Sequence, residues 1–229
     1  MTIAAVILAA SVESALADAA GVARIRRIAD AAWSGGALPI IVVSPDPDGA
    51  VAAVLSGAPV TLAPPAPIEG GPIAGIVRGI ELAAAEVSGT SGALVWPANL
   101  CWVGPETITS LVERHGPFPG DLLRPSFHGE VGWPALVPRR AVDALRTLAP
   151  TATLDELLDA LVATGTIESR PIDLGDPGTV IDGATRREDL PPYEGPAESS
   201  GSQDWGAALA SMPDEAPLDG PARADDPAG

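Results

Sequence analysis

The sequence predicts an α/β fold of three layers, a mostly parallel sheet between two layers of helices. Strand-like and helix-like segments alternate through the first half of the chain, the rhythm of right-handed βαβ units. The strand candidates include continuous apolar runs, IAAVILA at Ile3–Ala9 and LPIIVVS at Leu38–Ser44, as strands covered on both faces require. Hydrophobic residues make up 46% of the 229 residues and aromatics only 3%. The core must therefore be built from Ala, Val, Leu and Ile, with enough of them for one sizeable core and a tail.

Taken in order, Ile3–Ala9 is the first strand, and Glu13–Trp33 reads as one helix ended by Gly35-Gly36. Leu38–Ser44 is the second strand, followed by a turn at Pro45–Gly49 and a short helix over Ala50–Ser56. Val60–Ala63 is a third strand. A Pro-rich loop then leads to Gly70-Gly71-Pro72 and a helix to about Val87, with Pro72 in the first turn. Ala93–Trp96 is the fourth strand, followed by the Ala98–Gly104 loop and a helix from Pro105 to about Arg114. Asp121–Ser126 and Val131–Val137 read as strands joined around His128-Gly129-Glu130. Helices follow at Ala141–Leu148 and Thr153–Ala163, the second capped by Thr153 or Thr151. Glu168–Leu174 and Thr179–Ile181 read as late strands.

The composition changes after Leu190, so residues 1–190 are expected to be the folded domain and 191–229 an acidic, disordered Pro/Gly-rich tail. Within the tail, Trp205, Leu209 and Met212 share one helical face. They are either incidental apolar residues or a short docking motif.

The net charge is −17, and all 13 basic residues are Arg. A catalytic Lys is therefore excluded. No basic face exists for nucleic acid, and an anionic membrane surface is disfavoured for the same reason. The single Cys101 excludes an internal disulfide and a Cys-based metal site. The apolar opening run is too short to span a bilayer and has no basic segment before it. The expected location is the cytoplasm.

Six segments in this order resemble the MobA-like nucleotidyltransferases, over roughly residues 1–190. They are Ala5–Ala10; Gly71–Ile76 with Gly79; Leu94–Asn99; Pro105–Ile108 with Leu111; Arg124–Ser126 with Gly129 and Gly132–Pro134; and Asp176–Gly178 with Ile181-Asp182, Thr185 and Glu188–Leu190. The resemblance implies a nucleotide-diphospho-sugar transferase-like, Rossmann-like fold. It also implies transfer of a nucleoside monophosphate from a triphosphate to a phosphorylated acceptor such as molybdopterin. It assigns Ala10 and Ser11 to the phosphate loop, and Gly71, Gly75 and Gly79 to the nucleotide base. Asn99 and Asp182 fall at metal positions, and His128, Glu130 and Trp133 on the acceptor side.

The sequence departs from the family where the chemistry lies. Ser11 replaces a loop glycine whose absent side chain would let backbone N–H groups approach phosphate. Val12–Ala20 contains no Gly, Arg or Lys, and adds Glu13 and Asp18, which repel phosphate. Asn99 replaces a metal-binding Asp, and a neutral amide is a poorer Mg²⁺ ligand than a carboxylate. No residue is therefore assigned as catalytic, and Mg²⁺ enters only if the chain is active.

The leading expectation is a pseudoenzyme that binds a protein partner, such as a molybdoenzyme or another cofactor enzyme. The alternatives are a divergent nucleotidyltransferase using Asn99 and Asp182, and a domain that keeps only the base site. Elsewhere the readings are plainer. Cys101 is expected to be a buried thiol. His115 is read as a helix-end residue favoured by the dipole, and His128 as an exposed hairpin residue or a cleft contact. Gly70-Gly71 is a turn or a base contact. Trp96, Trp102 and Trp133 are placed near the cleft mouth, as packing or as a stacking surface.

Overall fold

A computed structural model describes residues 2–149 and 153–195. The strands are β1 (Thr2–Leu8), β2 (Asp18–Ala19), β3 (Val22–Ala23), β4 (Ile40–Val43) and β5 (Val60–Ala63), then β6 (Thr90–Pro97), β7 (Leu122–Phe127), β8 (Glu130–Val131), β9 (Ala135–Pro138) and β10 (Ser169–Asp173). The helices are α1 (Val12–Leu16), α2 (Arg24–Ser34), α3 (Ala50–Val54), α4 (Gly71–Glu86), α5 (Pro105–His115), α6 (Val142–Thr147) and α7 (Leu154–Ala163).

The main sheet runs β10-β7-β9-β6-β1-β4-β5, with β8 paired to β7. β6, β1, β4 and β5 are parallel neighbours, as are β10 and β7. β9 is antiparallel to both β6 and β7 and joins the two parallel groups.

The apolar run of β1 lies at the centre because it feeds both faces. Ile3, Ala5 and Ile7 enter one core, with Ile25, Ile28 and Ile108. Ala4 and Val6 enter the other, with Ile76, Ile80 and Leu161. This period-2 alternation inside an unbroken apolar run is what makes the three layers. Each fully buried Ile contributes about 2 kcal/mol. Some helix starts receive polar help. Asp46 accepts from the N–H groups of Val51 and Ala52 to start α3, and Thr153 and Glu156 form a reciprocal capping box on α7. Thr151 lies outside the described residues.

Three expected elements differ. The single helix over Glu13–Trp33 is two helices, α1 and α2, separated by the β2–β3 hairpin. The hairpin turns at Ala20 and Gly21, both with positive φ (54° and 80°), and Gly21 N–H donates to Asp18 Oδ2. The strand expected over Val131–Val137 breaks at Gly132–Pro134. There the N–H groups leave the ladder, Gly132 donating to Pro125 O and Trp133 to Thr179 O. Thr179–Ile181 is no strand, because a 3₁₀ turn spans Pro177–Thr179. The Asp176 carboxylate holds that turn to the start of α5, accepting from Gly104 N–H, Thr107 Oγ1 and Gly178 N–H.

His115 closes α5 but is fully buried, with Nε2 3.2 Å from Ser91 Oγ and Nδ1 without a partner. Burial lowers its pKa from the usual 6.5 and favours the neutral ring. Burial therefore disfavours a stabilised cation at this helix end. The unfolded chain takes up a proton near pH 6.5 and the folded chain only at lower pH. Stability is thus full above pH 6.5 and lost as pH falls below it, by at most about 1.4 kcal/mol per pH unit. Melting temperatures between pH 8 and 5.5 should fall in the acid half of that range, and His115→Gln should flatten the fall. An equal slope in the variant would show that another group carries it.

Residues 191–195 are described, and Glu194 N–H donates to Gly175 O (2.7 Å). From residue 196 onward the expected tail, including the Trp205–Met212 segment, lies outside the described residues.

Candidate functional site

β1, β4 and β6 are in register at their carboxyl ends, Leu8 facing both Val43 and Pro97. The loops after β1 and β6 therefore leave the sheet side by side, where open α/β sheets place ligands. In the first of them Ala10 is exposed and Ser11 half-buried. Ser11 and Ser14 cap α1 reciprocally. Ser11 N–H donates to Ser14 Oγ (3.2 Å), and Ser14 N–H donates to Ser11 Oγ (3.1 Å). Ser14 Oγ also donates to Ser11 O (2.9 Å). Two backbone donors that an anion-cradling loop would aim outward are engaged by side chains.

Gly71 begins α4 with φ 56°. A Cβ on Gly75 would sit in ordinary contact with Leu8 Cδ2, at 3.6 Å. Gly79 is different. It is buried, and a Cβ there would lie 2.2 Å from Val6 Cγ1. The close approach of α4 to β1 explains this glycine without a ligand.

The two residues that the resemblance assigns to metal positions meet. Asn99 Nδ2 donates to Asp182 Oδ2 at 2.8 Å, across 83 residues of sequence. Asp182 Oδ1 accepts from Ala184 N–H (2.7 Å), and Arg24 Nη2 lies 3.7 Å from it. Partial burial raises the Asp182 pKa, but the Asn99 amide, the Ala184 N–H and Arg24 together outweigh it and hold the carboxyl below its usual range. Gly183 permits this knot. A Cβ there would lie 2.6 Å from Cys101 Sγ and 2.9 Å from Arg24 Nε.

The pair opens on a cleft of about 360 Å³, whose wall includes Asn99, Asp182, Glu130, Trp133 and Asp155. Trp133 is 6% exposed and its ring centroid lies 4.8 Å from the Arg124 guanidinium. Arg124 in turn donates to Gly132 O and Asp155 Oδ1. The structure thus gathers both residues that the resemblance assigns to metal positions and two of the three that it assigns to the acceptor side. It does not gather His128, which is exposed in the β7–β8 turn, stacked on Phe127 and paired with Glu194 at 3.0 Å. Ser11, Gly71 and Gly75 do not line this cleft. Of the three tryptophans placed near its mouth, only Trp133 lines it. Trp96 is fully buried in the core, its Nε1–H donating to Leu100 O, and Trp102 lies on the other side of the 97–104 loop.

A divalent cation does not fit this donor set. The single carboxylate of the Asn99–Asp182 pair has both oxygens engaged, and its nearest partner presents an amide N–H. A guanidinium already stands beside it. Among the described residues, no three His, Cys, Asp or Glu side chains gather to hold a metal ion. Arg24 was missed in the sequence because a helix read through Gly21 placed it on a solvent face. Gly21 was the available signal of a break. Cys101 is buried, as expected, and burial pushes its thiol pKa up despite Arg24 and Arg27 nearby.

Among solved structures, the Rv0371c protein of Mycobacterium tuberculosis is similar, at 20% identity and a TM-score of 0.56, over 76% of this chain and 90% of that one. Its complex with manganese matches at 19% identity, TM-score 0.56, over 76% and 89%. The 2-C-methyl-D-erythritol 4-phosphate cytidylyltransferase of Thermus thermophilus matches at 15% identity, TM-score 0.57, over 82% and 95%. These likenesses establish the fold. A comparison with curated protein sequences finds no match. No helix among the described residues is long and apolar enough to cross a membrane. The sequence model of the MobA-like NTP transferase domain matches residues 9–165. That is more than half of the chain, and the chain belongs to the MobA-like NTP transferase domain family.

Proposed function

We propose that this chain uses a nucleotidyltransferase fold as a binding or accessory protein and does not itself transfer nucleotides. The observation that carries this reading is the closed trio of Asn99, Asp182 and Arg24. Phosphoryl transfer needs charge neutralisation at the migrating group, supplied by preorganised cations and backbone donors. Here the one carboxylate at the metal position is neutralised by the protein's own arginine. The first loop adds to this, since Glu13 is exposed beside N–H groups already engaged by Ser11 and Ser14. A partner such as a molybdoenzyme or another cofactor enzyme, in the cytoplasm, completes the proposal.

A second reading, a divergent transferase acting on a phosphorylated acceptor such as molybdopterin, is favoured by one observation. Asn99, Asp182, Glu130 and Trp133 still share a cleft. The manganese complex of the Mycobacterium tuberculosis protein makes metal a fair probe. Calorimetric titration with GTP, CTP and ATP plus Mg²⁺, together with a pyrophosphate-release assay on molybdopterin, separates the two. The expected result is no turnover with any triphosphate. Micromolar binding accompanied by pyrophosphate release would overturn the proposal and establish the second reading.

A further inference from the structure

A second cavity lies beyond the proposed site, against the other part of the 97–104 loop. Asn99 and Leu100 face the first cleft, while Cys101, Trp102, Val103 and Gly104 line the second. Its volume is about 330 Å³, within the range of small-molecule pockets. Much of its wall is apolar, from Val22, Val103 and Leu190. Its charges are two arginines, Arg27 from α2 and Arg187 from the 3₁₀ turn Arg187–Asp189, and one carboxylate, Asp30.

The charge balance around this cavity is unusual for a chain of net charge −17. Asp30 is committed to Arg26, which donates to both of its oxygens at 2.9 and 3.1 Å. Glu188 and Asp189, which flank Arg187 in sequence, are both paired with Arg186 (2.9 and 3.1 Å). The Arg187 side chain has no hydrogen-bond or ion-pair partner among the described residues. Arg27 has no acidic partner among them either. Its Nε and Nη2 both donate to Ala19 O, at 3.2 and 2.7 Å, and its guanidinium stands 5.1 Å from the centroid of the Trp102 ring. That ring is itself held by Trp102 Nε1–H donating to Thr185 O (3.0 Å). Three nearby acids are thus paired with two other arginines, while the side chains of the two cations that line the cavity have no carboxylate partner among the described residues. One of the two is fixed in place by backbone and ring contacts, so little conformational entropy is lost when it meets a ligand.

We infer that this cavity is a binding site for a small organic anion, a phosphate or carboxylate carried on an apolar body. The anion sits between Arg27 and Arg187, and the apolar body packs against Val22, Val103 and Leu190. The site is separate from the Asn99–Asp182 cleft and stands whether or not the chain transfers nucleotides.

Calorimetry of the full chain with phenyl phosphate and with benzoate tests it, with phenol and inorganic phosphate as the probes lacking the charge and the body. At least one of the two aryl anions should bind, and phenol and inorganic phosphate should each bind about tenfold more weakly or not at all. Arg187→Gln should weaken the aryl anion about tenfold, the scale of one charge-assisted hydrogen bond. Arg186→Gln should leave its affinity unchanged, since that arginine is committed to Glu188 and Asp189. Arg187 is exposed, so its variant keeps the fold, as a melting curve will verify. The inference fails if neither aryl anion binds, if phenol or inorganic phosphate binds equally well, or if the two arginine variants weaken binding to the same extent.

Discussion

Gly79→Ala should destabilise the domain by about 3 kcal/mol, the upper range for an overpacked core. The added Cβ would lie 2.2 Å from Val6 Cγ1, 3.1 Å from Cγ2 and 3.2 Å from Cβ. Val6 cannot yield, because it sits on the central strand with Ile41 on one side and Val95 on the other. Helix α4 would have to lift from the sheet, loosening Ile76 and Ile80 in the same core. At roughly 3 °C per kcal/mol for a domain of this size, the melting temperature should fall by about 10 °C. Val6→Ala alone should cost about 2 kcal/mol through its cavity. The double variant should cost less than the sum, because each change makes room for the other. A Gly79→Ala protein melting within a degree of the natural one would show that α4 does not approach β1 so closely.

Asn99→Asp should have the second large effect, and its sign should depend on the metal in the buffer. The change replaces a 2.8 Å hydrogen bond to Asp182 with two facing carboxylates. At the effective dielectric near a protein surface, two like charges at 4 Å cost about 4 kcal/mol. Asp182 is half exposed and Arg24 is 3.7 Å away. Screening therefore reduces the cost to about 1 kcal/mol, to which the lost hydrogen bond adds about as much. With EDTA the variant should melt several degrees below the natural protein. With Mn²⁺ at a hundred times its dissociation constant, about 2.7 kcal/mol returns, since two adjacent carboxylates form the hard-oxygen site that an amide and a carboxylate do not. The natural protein should show no Mn²⁺ shift. A shift as large as the variant's would mean that the existing donor set already accepts a metal.

Where the sequence was legible, it was legible for local reasons. IAAVILA and LPIIVVS are unbroken apolar runs, and only a strand covered on both faces places such a run without exposing part of it. Asn99 and Asp182 were readable as candidates because the flanking motifs keep the family's order, although the spacing from Asp182 to Thr185 and Asp189 is one residue longer than usual. What misled was also local. Leu16, Ala20, Ala23 and Ile28 keep a helical rhythm across Gly21, so periodicity concealed the β2–β3 hairpin that interrupts it. Val131–Val137 reads as one strand because nothing in its apolar content reports that Gly132 and Trp133 give their N–H groups to Pro125 and Thr179.

By itself the amino-acid sequence determined the layer architecture, the aliphatic core and the family. Each of these is written in residue type and short-range order. Only the tertiary structure decided that Arg24 stands beside Asp182, that Gly79 serves packing, and that Arg27 and Arg187 share a cavity whose one lining acid, Asp30, is already paired. Charge pairing depends on distance in space. The fold, not the spacing along the chain, selects which arginine meets which carboxylate.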